Sequence, residues 1–104
     1  MEISFTGHHL VVTPALKSMA TEKLQKLERH CDKVNIIKLL FRIDNLEQIV
    51  EATAFGANTE IHADAKTDNM YTSIDKVVDR LDKQLMKKKE KRLDKQHHED
   101  NRDT

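Results

Sequence analysis

Between Asn69 and about Lys95 the chain carries an apolar stripe that ends before the helical pattern holding it does. Met70, Ile74, Val77, Val78, Leu81 and Leu85 recur at spacings of 4, 3, 1, 3 and 4, which gathers them on one face of a 3.6-residue helix. Lys76, Arg80, Lys83, Lys87 and Lys91 recur at 4, 3, 4 and 4 and form a second stripe that points to solvent. The apolar residues stop at Leu85 and Met86, yet Lys87-Lys88-Lys89-Glu90-Lys91-Arg92 continues the helical pattern. The first half of such a helix packs on a core and the second half projects as a cationic rod. A rod of that charge calls for a polyanionic partner.

The remaining segments supply that core. Glu2-Ile3-Ser4-Phe5-Thr6 alternates polar and apolar, the period of a strand with Ile3 and Phe5 inward, and Gly7-His8-His9 turns the chain. Thr13-Pro14 starts a helix, since Thr caps free amides and Pro loses no donor at the first helical position. Leu16, Met19, Ala20, Leu24, Leu27 and Cys31 make its apolar stripe, and the helix ends near Asp32-Lys33. From Ile36 to Ile43 a second strand sets Ile37, Leu39, Phe41 and Ile43 against Lys38 and Arg42. Asp44-Asn45 supplies turn chemistry. Gln48 to Phe55 is a third strand, with Val50, Ala52 and Ala54 on one face, and Gly56-Ala57-Asn58 turns again. Glu60 to Ala65 is a fourth, with Ile61, Ala63 and Ala65 inward and His62 and Asp64 outward. Asp68 or Asn69 caps the long helix.

The order is βαβββα. A helix between the first two strands allows a parallel crossover, while the short turns after residues 43 and 55 demand antiparallel neighbours. Each strand has one apolar face and each helix one apolar stripe, so the expected fold is α+β in two layers. A four-stranded mixed sheet carries both helices on one face and leaves the other mixed and exposed. A chain of 104 residues suits one domain, here 1–95. Residues 96–104 contain nothing apolar and are expected to form a disordered polar tail.

Most chemistries find no support. Gly7 and Gly56 are the only glycines, too few for a phosphate loop. His8-His9 and His97-His98 lack Cys or carboxylate partners at ligand spacing, so no metal site is expected. Cys31 is the single cysteine, with no base implied beside it; a buried or half-buried thiol in a reducing cytosol is the expectation. Neither an enzyme, a cofactor nor a small-molecule substrate is indicated. No apolar run approaches the ~20 residues a bilayer needs, and beyond Met86 only Leu93 offers the bulk that surface insertion requires. A cytoplasmic protein is expected.

Charge is the informative property. The net charge of zero hides a blockwise split. Residues 1–75 hold 8 Lys+Arg against 11 Asp+Glu, residues 76–95 hold 9 against 4, and residues 96–104 hold 1 against 3. Like charges at i,i+4 cost a helix a few tenths of a kcal/mol each, so a stripe that repeats them points to a compensating anion. Lysines that merely solubilise a surface helix are the bland alternative. Nucleic-acid or ribonucleoprotein binding explains the pattern better.

Several segments resemble a known family. They are Ile3-Ser4-Phe5-Thr6-Gly7, Thr13-Pro14-Ala15-Leu16, Lys23-Leu24-Gln25-Lys26-Leu27-Glu28, Glu60-Ile61-His62-Ala63, Asp68 through Asp75, and Leu81-Asp82-Lys83-Gln84-Leu85 with the lysine run. In this order they are similar to the short-form ribosome hibernation promoting factors, relatives of the ribosome-associated inhibitor and sigma-54 modulation proteins. The resemblance covers residues 1 to about 95. It implies a fold similar to double-stranded RNA-binding domains and a monomeric protein that binds the small ribosomal subunit (16S rRNA) where messenger and transfer RNAs sit. It implies silencing of translation in stationary phase and association with idle 70S and paired 100S ribosomes. A general structured-RNA-binding module of the same fold is the alternative.

Carried over by position, the implied rRNA-binding residues are Lys23, Lys26, Lys33, Arg42, Arg80, Lys83, Lys87, Lys89 and Lys91. The charge pattern adds Lys76 and Lys88, and makes Arg80, Lys83 and Lys87 the central group. Met70 and Tyr71 match the family motif and are read as packing residues. The hairpin Gly56-Ala57-Asn58-Thr59 departs from the family's double glycine. The acidic tail is longer than a minimal short form, and a longer acidic extension opposes ribosome pairing in the inhibitor subfamily.

Overall fold

The computed structural model describes residues 1–28 and 34–102, with side chains for 1–27 and 34–88. The elements are β1 (Glu2–Gly7), α1 (Pro14–Glu28), β2 (Val34–Asp44), β3 (Glu47–Gly56), β4 (Thr59–Thr67) and α2 (Met70–Arg102). The strands form one sheet in the order β1-β2-β3-β4. β1 runs parallel to β2, with Phe5 opposite Leu39, and the other pairs are antiparallel. The βαβββα order and mixed sheet follow the sequence pattern.

Period-two alternation decides which sheet face is covered. Ile37, Leu39 and Phe41 of β2, Val50, Ala52 and Ala54 of β3, and Ile61 and Ala65 of β4 are buried in one cluster. Leu16, Ala20, Leu24 and Leu27 of α1 join it, as do Met70, Ile74, Val77, Val78, Leu81 and Leu85 of α2. Both helices therefore lie on the same sheet face. Phe41 sits at the centre with no exposure and stacks on Phe5 at 6.4 Å between ring centroids.

Short polar devices fix where the elements begin and turn. Leu16 donates its amide to the Thr13 hydroxyl at 3.3 Å, and Asn69 Oδ1 accepts from the amides of Tyr71 and Thr72 at 2.8 and 3.3 Å. Asn69 is thus the cap of α2, not Asp68. Asn45 and Asn58 take the left-handed backbone of the two hairpin turns, at φ 59° and 56°, a conformation Asn tolerates without glycine. Gly7 is set by a close approach. A Cβ there would stand 2.2 Å from the Leu10 carbonyl oxygen.

Four details differ from the sequence pattern. β2 starts at Val34, before Ile36, because a register shift between them returns Val34 to the core side. Ile43 points inward by alternation yet is 50% exposed, since it lies at the hairpin end of its strand. Met70 is buried, but its neighbour Tyr71, read as packing, is 45% exposed because it falls one residue off the apolar stripe. α2 runs to Arg102, past the boundary that composition places at Lys95; no Gly or Pro interrupts 96–102. Cys31 and the helix end expected near Asp32-Lys33 lie outside the described residues, as do Asp103 and Thr104 of the expected tail.

Candidate nucleic-acid interface

α2 is positioned by its inner face. Ile74, Val77 and Leu81 have no exposure, and Leu85 only 3%. The start of the helix is tied to β3 by Ser73, fully buried, whose Oγ donates to the Gln48 carbonyl at 2.6 Å and lies 2.7 Å from the Thr67 hydroxyl. The outer face is thereby held in one rotational setting.

That outer face carries Lys76, Arg80, Lys83 and Lys87, while Lys88 continues the line of Leu81 past the end of the core; all five are exposed. Lys83 pairs with Asp79 one turn back at 3.1 Å. Arg80 does a structural task as well: its Nη1 donates to the Asp64 carbonyl of β4. Gln84 Nε2 donates likewise to the His62 carbonyl at 2.7 Å. β4 is an edge strand, so these two side chains satisfy main-chain oxygens that no fifth strand covers.

On α1, Lys23 is 33% exposed and forms an ion pair at 2.7 Å with Asp75 of α2. Lys23, Lys26, Leu27, Asp75, Val78, Asp79 and Asp82 line a groove between the helices. The α1 lysines therefore meet α2 on a flank that is acidic. Arg42 is elsewhere. It projects from the open sheet face, where its Nε donates to Glu51 at 2.6 Å. That hydrogen bond, with the nearby charges of Glu51, Asp44 and Asp64, raises the Arg42 pKa above its ordinary value against the opposing effect of desolvation. On the same face Lys38 lies 5.5 Å over the Phe55 ring, and His62 bridges Thr53 and Glu60 at 3.1 and 2.9 Å.

The structure thus gathers one group of the expected residues, Lys76, Arg80, Lys83, Lys87 and Lys88, along α2. It sets Lys23 and Lys26 across a groove from carboxylates and puts Arg42 on the opposite side of the sheet. Lys33 and the side chains of Lys89 and Lys91 lie outside the described residues. Charge counting missed the acidic flank, although the signal was present. Asp75-Lys76, Asp79-Arg80 and Asp82-Lys83 repeat at spacings of 4 and 3, so each acid stands about 100° around the axis from its basic neighbour. Among the described residues no three His, Cys, Asp or Glu side chains gather as metal ligands, and no helix is long and apolar enough to cross a membrane.

Residues 3–93 match the family described as Sigma 54 modulation protein / S30EA ribosomal protein. The chain belongs to that family. Among its curated relatives, the ribosome hibernation promoting factor of Azotobacter vinelandii is 38% identical over 96 residues, which cover 92% of this chain and 90% of that protein. The factor of the same name from Escherichia coli (strain K12) is 35% identical over 91 residues, covering 88% and 96%. Among solved structures, a ribosomal subunit interface protein from Coxiella burnetii superposes with a TM-score of 0.82 at 32% identity, over 86% of this chain and 98% of that one. The N-terminal domain of Thermus thermophilus Protein Y shares the fold, with a TM-score of 0.78 at 24% identity over 84% and 98%. Membership in the S30EA family places the chain among binding proteins and not enzymes. The matched span reaches into the cationic half of α2, so the helix that bears the basic flank belongs to the S30EA unit and is no appendage to it.

Proposed function

We propose that this S30EA protein is a ribosome hibernation factor. It works in the cytoplasm as a monomer, binds the small ribosomal subunit in the channel used by messenger and transfer RNAs, and silences translation in stationary phase while favouring the pairing of idle ribosomes. The observation that carries the proposal is the basic flank of α2, held facing solvent by a helix whose opposite face is locked in the core. The names of the relatives supply the ribosome; the flank supplies the means. Lys76, Lys83, Lys87 and Lys88 suit rRNA phosphates, and a pre-ordered helix loses little freedom when it meets them. Contacts of this kind recognise the shape and backbone of folded RNA without reading bases.

Sedimentation through sucrose gradients tests the proposal. With purified ribosomes the protein is expected to migrate with the small subunit near one per particle and to stay there when excess duplex RNA is added. Displacement by any duplex at comparable concentration would leave only a general RNA-binding module.

A further inference from the structure

The acidic flank of α2 has no evident use in holding RNA. Asp75, Asp79 and Asp82 form a stripe of their own, and it faces the two lysines that α1 contributes to the groove. The Lys23–Asp75 pair at 2.7 Å is partly open to water, with side-chain exposures of 33% and 60%. Exposed pairs of that kind add little to stability, so interhelical cohesion is a weak reason for three carboxylates. Their effect on an approaching polyanion is larger. A regular RNA duplex laid across both helices would bring its phosphates over this stripe, and like charges set face to face are a strong means of rejecting a wrong partner.

We infer that Asp75 and Asp79 are specificity determinants: they mask the α1 lysines and repel ordinary duplex RNA, leaving the far flank of α2 for an RNA surface shaped to reach it. The inference rests on the function proposed above. Asp75 occupies Lys23 as a phosphate would, and Asp79 stands between the groove and the basic flank, where it also holds Lys83 at 3.1 Å. A ligand that touches only the far flank avoids the repulsion. One that straddles the helices must first break the Lys23–Asp75 ion pair and then bear the freed Asp75 carboxylate, with Asp79 beside it neutralised only by the exposed Lys83.

The test compares two RNAs at one salt concentration. In the double variant Asp75→Asn/Asp79→Asn, affinity for a short perfect RNA duplex is expected to rise roughly tenfold, with the salt slope steepening by about 0.7–0.9 for each lysine released. Affinity for purified small subunits should stay within about twofold, because their contacts lie on the other flank. Glu2→Gln/Glu47→Gln makes the same change in net charge at residues that do not line the groove and should leave both affinities alone. A double-mutant cycle adds a second readout. Lys23→Gln should scarcely alter duplex binding in the wild-type background but weaken it severalfold when Asp75 is Asn. An unchanged duplex affinity in the Asp variant overturns the inference, as does an equal gain with the Glu pair. Should wild type fail to bind the small subunit, the proposed function falls while the duplex comparison still decides the role of the aspartates.

Discussion

Ser73 shows how one polar side chain can set an interface. It is the one polar residue among the described buried positions, with no exposure, and it sits in the first turn of α2. Its hydroxyl donates to the Gln48 carbonyl of β3 and pairs with Thr67 at the end of β4, so it joins the helix to two strands at once. Ser73→Ala removes the donor and leaves the Gln48 oxygen short of a partner, which should lower unfolding free energy by about 1–3 kcal/mol. Denaturant titration measures the loss, and a variant as stable as wild type would show that water or a neighbour takes over. Nothing in the sequence marks this serine, because a hydroxyl at a core position is visible only once its acceptor is known. Ile43 and Tyr71 mislead for a related reason. Alternation and helical spacing say which way a side chain points but not whether another element lies over it.

Elements were legible where period and cap agreed. The apolar stripes of both helices and the alternation of β2, β3 and β4 follow from spacing, because burial of one face imposes it, whereas residue type narrows the cap before α2 only to Asp68 or Asn69. What an exposed side chain does for its own fold was not legible. Arg80 belongs to the cationic stripe by spacing, and the triad Arg80, Lys83 and Lys87 looked separable from the fold. Its guanidinium instead closes the outer edge of β4 together with Gln84. Arg80→Gln should therefore cost about 1 kcal/mol of stability, as loss of a partly exposed hydrogen bond does, whereas Lys76→Gln should cost nothing measurable. Thermal melts of the two variants side by side decide this. Equal melting temperatures would return Arg80 to the purely ligand-facing group, and a tendency of the Arg80 variant to self-associate would point to an uncovered strand edge.

At the scale of the whole molecule, charge follows the architecture. The long dimension is 53 Å against 25 and 18 Å, and α2 at 33 residues accounts for it, since a helix of that length spans about 50 Å. Three surfaces of different character result: a basic flank along α2, an acidic flank facing α1, and an open sheet face on which Arg42 is engaged with Glu51 and His62 with Glu60. The blockwise split in the sequence foretold the first. The spacing of Asp75, Asp79 and Asp82 carries the second and strand alternation leaves the third exposed; only the partner of the acidic flank waits on the fold, since Lys23 meets Asp75 from 52 residues away.

This division predicts which charge reversals abolish ribosome binding. Lys76, Lys83 and Lys87 lie on one flank and spare Arg80 its structural role, so changing all three to Glu leaves the apolar stripe and the β4 edge intact. Each reversal removes an attraction for phosphate and adds a repulsion, and co-sedimentation with the small subunit should collapse while circular dichroism stays unchanged. Reversing Lys38 and Lys66 to Glu on the sheet face alters a surface whose acids already outnumber its cations, and binding should remain close to wild type. Salt provides the independent check. If phosphates are the main contacts, log K falls with log salt by ~0.7–0.9 per contact, and the triple variant's residual binding should have a much shallower slope. A triple variant that stays folded and still co-sediments, alongside a Lys38/Lys66 variant that does not, would move the binding surface from α2 to the open sheet.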